Sequence, residues 1–516
     1  MTPSRTFRRA SVLLGLAAMA VGLWATVVSA HSLVRSTDPK AGSTVQKAPT
    51  AVVMRFNEAV ELAFGGIQVL GPNQRRVDAG KTRYSSGRRD TIRVGLTPDL
   101  ANGQYTVVWR IVAADGHPRD GRFRFRLDQP APPTTTSSGA HAATTVPPAT
   151  RAADVAMPPE PSEQPGAGAL PAVLLGATRW VLFASLVVLA GLGVFALAVW
   201  RPAGSTARPP EMDQAFERRW GRLILWAWTA AVVASVASLP FQGAVAADVQ
   251  LGEAFSGEVL GAVLDTRFGR VTLARLVLLV VLAAAVLAGR PGRARRTLVH
   301  ADARRSLGAA ATPSSLPVGP LVAWTILGVA LLATISLAGH AGTTSPVALG
   351  VPADVLHLSG LACWLGGLVG LVAVALPAAR GAGDRERVTV LAPVVSRFSN
   401  LAVASVAVIA VTGTVRAWME VRTLAGLTGY AYGITLLVKL AVVACLLTVG
   451  AVNNRWSKPR IQRAAEAAEL TGSGVSALRT LRRLVLLEVL LAAVVLAVAA
   501  ALVDLQPPHV GMEEGM

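Results

Sequence analysis

Eight apolar runs fill the region from residue 169 to residue 505 of this 516-residue chain, and they constrain its fold more than any other feature. They lie near 179–200, 223–243, 271–289, 319–339, 353–376, 398–416, 431–451 and 484–504. Each can cross about 30 Å of hydrocarbon at about 1.5 Å of helix rise per residue. In hydrocarbon a chain satisfies its backbone polar groups internally, so the expectation is an all-α polytopic bundle of eight transmembrane helices. The net charge of +19 fits this scheme and does not point to nucleic acid, because the basic residues cluster between the apolar runs. Arg201, Arg208, Arg218, Arg219 and Arg222 fill the first loop, Arg290 to Arg305 the third, Arg380 to Arg387 the fifth and Arg455 to Arg483 the seventh. All four fall on one side, which the positive-inside rule assigns to the cytoplasm. Asp248, Glu253, Glu258 and Asp265 lie on the other side, where the tail 506–516 also emerges.

The N-terminus agrees with that orientation. Arg5, Arg8 and Arg9 precede an apolar run from Ser11 to Val28, then the small residues Ser29 and Ala30. This is the order of a cleaved secretory signal peptide over residues 1–30. Cleavage after Ala30 makes His31 the first residue of the mature chain. Residues 31–128 then read as an exported β domain. In GQYTVVWRIV, Tyr105, Val107, Trp109 and Ile111 share one face; in RFRFRL, Phe123, Phe125 and Leu127 do. Period-two alternation between Gly, Pro and Asn turns signals half-buried antiparallel strands, and a domain of this size is expected to be a β-sandwich. Residues 129–168, rich in Pro, Thr, Ser and Ala, read as a tether that includes a solvated His141.

Three constellations carry possible chemistry. His31 and the loop Asp115-Gly116-His117 form the first. A terminal amine and its own imidazole chelate a metal, and a second imidazole with a carboxylate completes a nitrogen/oxygen set suited to Cu(II). By spacing alone, D-G-H is also the composition of an ordinary turn. The second is His340, at the end of the fourth span, and His357, in the first turns of the fifth. Ionisable residues in spans are costly and are often functional. Asp354 and Trp364 share the helix stripe of His357, and Asp354 is expected to orient the imidazole. Water or backbone can equally satisfy two interfacial histidines. The third is Arg275, Lys439 and Glu488, inside spans. Lys439 is the deepest and is expected to be paired or functional, Arg275 lies on a polar path or snorkels, and Glu488 is expected to snorkel to the headgroups. Arg179 reads as an interfacial anchor and His300 as a solvated loop residue. The tail residues His509, Met512 and Met516 offer donors but read as a mobile terminus. Cys363 and Cys445 lie in apolar runs and supply neither a disulfide framework nor a thiolate cluster. No Walker A loop, HExxH helix or CxxC pair occurs, so neither an ATP-driven pump nor a zinc protease is expected, and no enzyme activity is assigned.

The chain resembles a known pair of families. Residues 31–128 are similar to the CopC family of exported copper-binding proteins through His31, Pro39-Lys40-Ala41-Gly42, Arg55-Phe56-Asn57-Glu58, Gly103 to Val107 and above all Trp109 to Gly121. Residues 170–505 resemble the CopD family of copper-resistance and copper-import membrane proteins. The residues concerned are Ser336 to His340, His357, Trp364 to Gly367, Arg397-Phe398-Ser399, Tyr432-Gly433 with Lys439, and Leu487-Glu488. The resemblance implies an Ig-like sandwich, a Cu(II) site at His31, Asp115 and His117, and a copper site in the membrane at His340 and His357. The β domain holds one methionine, Met54, so a single Cu(II) site without a separate Cu(I) site is expected. The expected function is capture of Cu(II) outside a bacterial cytoplasmic membrane and delivery to the membrane domain for uptake, with copper, the bilayer and an external chaperone as partners. Copper sequestration without transport, or a redox protein ligating haem through His340 and His357, are the alternatives.

Overall fold

The computed structural model describes residues 34–85, 87–113, 116, 118–130, 169–204, 208–288, 318–339, 347–421, 427–429, 431–467 and 473–502. Nine strands precede the helices: β1 Val34–Asp38, β2 Thr44–Val45, β3 Ala51–Phe56, β4 Val60–Glu61, β5 Ile67–Leu70, β6 Asp78–Ser85, β7 Arg88–Leu96, β8 Gly103–Ala113 and β9 Pro118–Leu127. They form two sheets. One has the order β1-β3-β7-β6; the other is β2-β9-β8-β4, with β5 also on β8. The alternation in the sequence decides which side chains face inward. Tyr105, Val107, Trp109 and Ile111 are buried, with Phe125 and Leu127 from the neighbouring strand and Val52, Met54 and Phe56 from the opposite sheet. Phe123 is partly buried at the edge of this core. The expected β-sandwich is therefore present. Met54 is fully enclosed in it, with no exposed surface.

Eight of the helices are long and apolar enough to cross a membrane. In chain order the helices are α1 Ala169–Trp200, α2 Pro210–Ala247, the short α3 Gly257–Asp265, α4 Arg267–Leu287, α5 Val318–Ala338, α6 Ala348–Gly381, α7 Asp384–Met419, α8 Ala431–Glu466 and α9 Gly474–Leu502. Every expected span overlaps one of them; five lie wholly within a helix, and those expected to reach 289, 339 and 504 run past the described helix ends at Leu287, Ala338 and Leu502. Several helices extend about ten residues beyond the apolar runs, because amphipathic turns continue the hydrogen-bond ladder outside the most hydrophobic stretch. Small residues let the bundle close: Gly191 of α1 and Gly366 of α6 lie back to back, and a Cβ at Gly366 would stand 2.7 Å from the Gly191 Cα. This is close helix approach of the kind that small residues permit in membranes. Tryptophan indoles tie helices together where no side-chain acceptor exists. Trp324 donates to the Leu189 carbonyl at 2.8 Å and Trp228 to the Leu279 carbonyl at 2.9 Å. Four stretches within the spans relax to π-helix: Phe195–Trp200, Ala362–Gly366, Gly370–Ala375 and Asn453–Ser457.

Candidate metal-handling sites

The β domain sits on one end of the bundle through polar contacts. Arg110 of β8 donates through Nη2 to the Ala246 carbonyl at 3.0 Å, and its Nη1 lies 3.6 Å from the Asp248 carboxylate. Glu61 of β4 accepts the backbone N–H of Arg267 at 2.6 Å. The carboxyl thus caps the first turn of α4 from another domain, where an otherwise unpaired donor and the positive end of the helix dipole favour it. Burial raises the Glu61 carboxyl above its ordinary value, against the opposing pull of the Arg267 N–H and of the guanidinium groups of Arg270, Arg89 and Arg267.

The third contact involves the predicted metal loop. Val112 of β8 pairs with Pro118 of β9, so residues 113–117 close this hairpin. His31, Asp115, His117 and His340 lie outside the described residues, as do His141, His300 and His509. Gly116 is described. It takes a φ of +93°, a region where glycine is favoured. Its carbonyl accepts Gln242 Nε2 of α2 at 2.5 Å, and Gln242 Oε1 in turn accepts Arg179 Nη2 of α1 at 3.3 Å. Gln242 and Arg179 are both buried. Arg179 is therefore not the interfacial anchor expected of it. Helix α1 begins ten residues before Arg179, which carries the guanidinium inside the bundle.

Within the membrane domain, His357 is the one histidine among the described residues, and it is half-buried on α6. Its Nδ1 lies 3.1 Å from Thr412 Oγ1 of α7. The Thr412 hydroxyl gives its proton to the Val408 carbonyl at 2.6 Å, so it accepts from the imidazole. That places the ring proton on Nδ1 and leaves the Nε2 lone pair available to a ligand. The next residue, Gly413, lets α7 approach: a Cβ there would stand 3.2 Å from His357 Cε1. Asp354 does not take the orienting role expected of it. Its carboxylate faces Arg416 of α7, with Nε at 3.7 Å. Lys439 of α8 stands within electrostatic range of both Asp354 and His357. Thr412 and Arg416 were not singled out from the sequence. Arg416 fell at the edge of a span, and a threonine in an apolar run usually bonds its own helix.

The remaining candidates separate. Arg275 is only 2% exposed and is held by α5, donating to Thr334 Oγ1 at 2.8 Å and to the Thr334 carbonyl at 3.2 Å. Trp364 is buried along α6 beside a different cavity, described below. Glu488 contradicts its expectation: it is 3% exposed and accepts Asn453 Nδ2 at 2.7 Å instead of reaching headgroups. Helix α9 starts at Gly474, which puts Glu488 about 21 Å along the helix at 1.5 Å per residue, turned toward α8. Among the described residues no group of three or more His, Cys, Asp or Glu is placed to hold a metal ion.

Comparison with known proteins defines the class. Residues 34–128 match the CopC domain, residues 170–312 the copper resistance protein D-like N-terminal domain, and residues 392–502 copper resistance protein D. The chain is 26% identical over 425 residues to the copper transport protein CutJ of Bacillus subtilis, covering 82% of this chain and 68% of that protein. It is 29% identical over 204 residues to copper resistance protein D of Pseudomonas syringae pv. tomato, covering 39% of this chain and 63% of that protein. A crystal structure of CopC from Methylosinus trichosporium OB3b aligns with 19% of this chain and 95% of its own, at 28% identity and a TM-score of 0.18. The chain is thus a multi-pass membrane protein of the copper resistance and transport class. Its matches run in the order of a CopC domain followed by the two parts of copper resistance protein D, a fused CopC–CopD arrangement.

Proposed function

We propose that this protein captures Cu(II) outside the cytoplasmic membrane and passes copper to its own membrane domain for uptake. His31, through its α-amine and imidazole, with Asp115 and His117 forms the capture site. The donors are nitrogen and oxygen, and a terminal chelate with a second imidazole suits tetragonal Cu(II). Met54 lies inside the sandwich core and takes no part. His340 and His357 receive the ion. Arg275, Lys439, Asp354 and Trp364 shape the polar surroundings of its path. The N-terminal domain and the C-terminus lie outside, because the basic loops lie at the opposite end of the bundle.

One observation carries this reading. Gly116, between the two loop ligands, is bonded to Gln242 of the bundle. A ligand loop seated on the membrane domain shortens the route for an exchanging ion, and the covalent tether keeps the local concentration of captured copper high. His357 supports the receiving end, since its Nε2 is the unprotonated nitrogen. Replacing His340 with alanine should abolish copper accumulation in cells while the protein remains inserted in the membrane. Undiminished accumulation would rule out His340 as a receiving ligand.

A further inference from the structure

A cavity of about 250 Å³ opens in the membrane domain at the end carrying the basic loops, away from the β domain. Its walls come from α6, α7, α8 and α9, and Trp364, Phe398, Ser399, Asn453, Lys458 and Glu488 line it. Three of the four π-helical stretches supply its wall, through Trp364, Leu371 and Asn453. Such bulges shift side chains out of α-helical register and often accompany functional sites.

Glu488 is the notable wall residue. It is 3% exposed, and among the described residues no cation forms an ion pair with it. Its partner is the side-chain amide of Asn453, which donates through Nδ2 at 2.7 Å. Asn453 is itself 8% exposed, and its Oδ1 is buried and accepts no hydrogen bond among the described residues. An ionised carboxylate offers only acceptors. It would leave its own charge uncompensated in an apolar wall and supply nothing to that amide oxygen. A neutral carboxylic acid removes the charge and contributes an O–H donor beside an amide that lacks one.

Lys458 is the other charged residue on the cavity wall, and its Nζ bonds Asn400 Oδ1 at 3.1 Å. Helices α6 and α7 contribute no charge to the lining, and Arg455 and Arg460 of α8 and Arg482 and Arg483 of α9 are exposed. The donor set is carboxylate, amide and hydroxyl, with no imidazole, thiolate or thioether. Copper is poorly matched here, because neither the imidazole nitrogens of a Cu(II) site nor the sulfur donors of a Cu(I) site are present in the lining. A proton is well matched.

We propose that Glu488, held by Asn453, is a proton-binding site and that protons exchanged there through the cavity accompany copper movement through the bundle. The carboxylate oxygen takes a proton from cavity water, becomes the neutral acid, and returns the proton when the site re-ionises. Charge balances at each step without another reactant. The coupling half of this proposal rests on the uptake reading above; the proton site does not.

Two measurements on the full-length protein in liposomes test it. The first is labelling by dicyclohexylcarbodiimide, which attacks protonated carboxyls in apolar surroundings, with the adduct mapped by mass spectrometry. Labelling of Glu488 should fall as pH rises, be indifferent to sodium at fixed pH, and vanish in Glu488→Gln. No labelling at any pH, or suppression by sodium, would overturn the proton assignment. The second follows copper entry together with an internal pH indicator. Wild type should move protons with copper, and Glu488→Gln should reduce the proton signal to that of empty liposomes. Copper entry by the wild type without proton movement would overturn the coupling. Absence of copper entry by the wild type would instead contradict the uptake reading and leave the labelling to decide the proton site. Glu488→Asp, which retains an acid one methylene shorter, should still label and so keeps the test valid should the glutamine variant fold poorly.

Discussion

At the scale of single residues, the proposed membrane site depends on how one imidazole is held. Thr412 spends its hydroxyl proton on its own helix and is left as an acceptor, which fixes the tautomer of His357. Partners of this kind orient metal ligands, and their loss costs roughly 10- to 100-fold in affinity. Thr412→Val, nearly isosteric, should weaken copper binding to the membrane domain by that order, measured by titration in a His31→Ala background that removes the proposed exported site. Unchanged affinity would remove Thr412 from the site. His357 was visible in the sequence because a histidine in an apolar run is conspicuous. Thr412 was not, because threonine bonded to its own helix is ordinary there. Asp354 was visible but misassigned, since helical spacing places it near His357 without revealing Arg416 across the interface.

At the scale of elements, the contact between β4 and the first turn of α4 links the two parts of the molecule. The docked Glu61 carboxyl is raised by burial, so it holds its proton more tightly than the free carboxyl does. Its contribution to docking is therefore complete below the ordinary carboxylate range and is lost as pH rises through the raised docked value. Hydrogen exchange at the Arg267 amide should accordingly show protection that weakens with rising pH beyond the intrinsic rate change, and Glu61→Gln should flatten that dependence. Equal pH dependence in both proteins would contradict the role given to Glu61. The elements themselves were largely legible. Apolar runs of span length specify membrane helices, and period-two alternation specified the inward faces of β8 and β9. What hydropathy did not reveal was how far the helices run past their apolar centres. That is why Arg179 and Glu488, read as end residues, are buried and bonded inside the bundle.

For the whole molecule, the sequence made the two-part architecture plain, because a polar, alternating segment and a set of spans cannot share one core. It did not show that the parts touch. Arg110, Glu61 and Gln242 each look unremarkable alone, although a glutamine within the second apolar run was a signal that could have been followed. Their contacts seat the loop carrying Asp115 and His117 on the bundle through Gly116, and the central claim, delivery of copper from the exported domain to the membrane domain, follows from that placement. The most direct test is the copper content of cells at limiting external copper, comparing a strain lacking this gene with the same strain carrying wild type or His31→Ala. The account predicts a fall on deletion, recovery with wild type and no recovery with His31→Ala. Copper content unaffected by deletion, or restored equally by both forms, would contradict it.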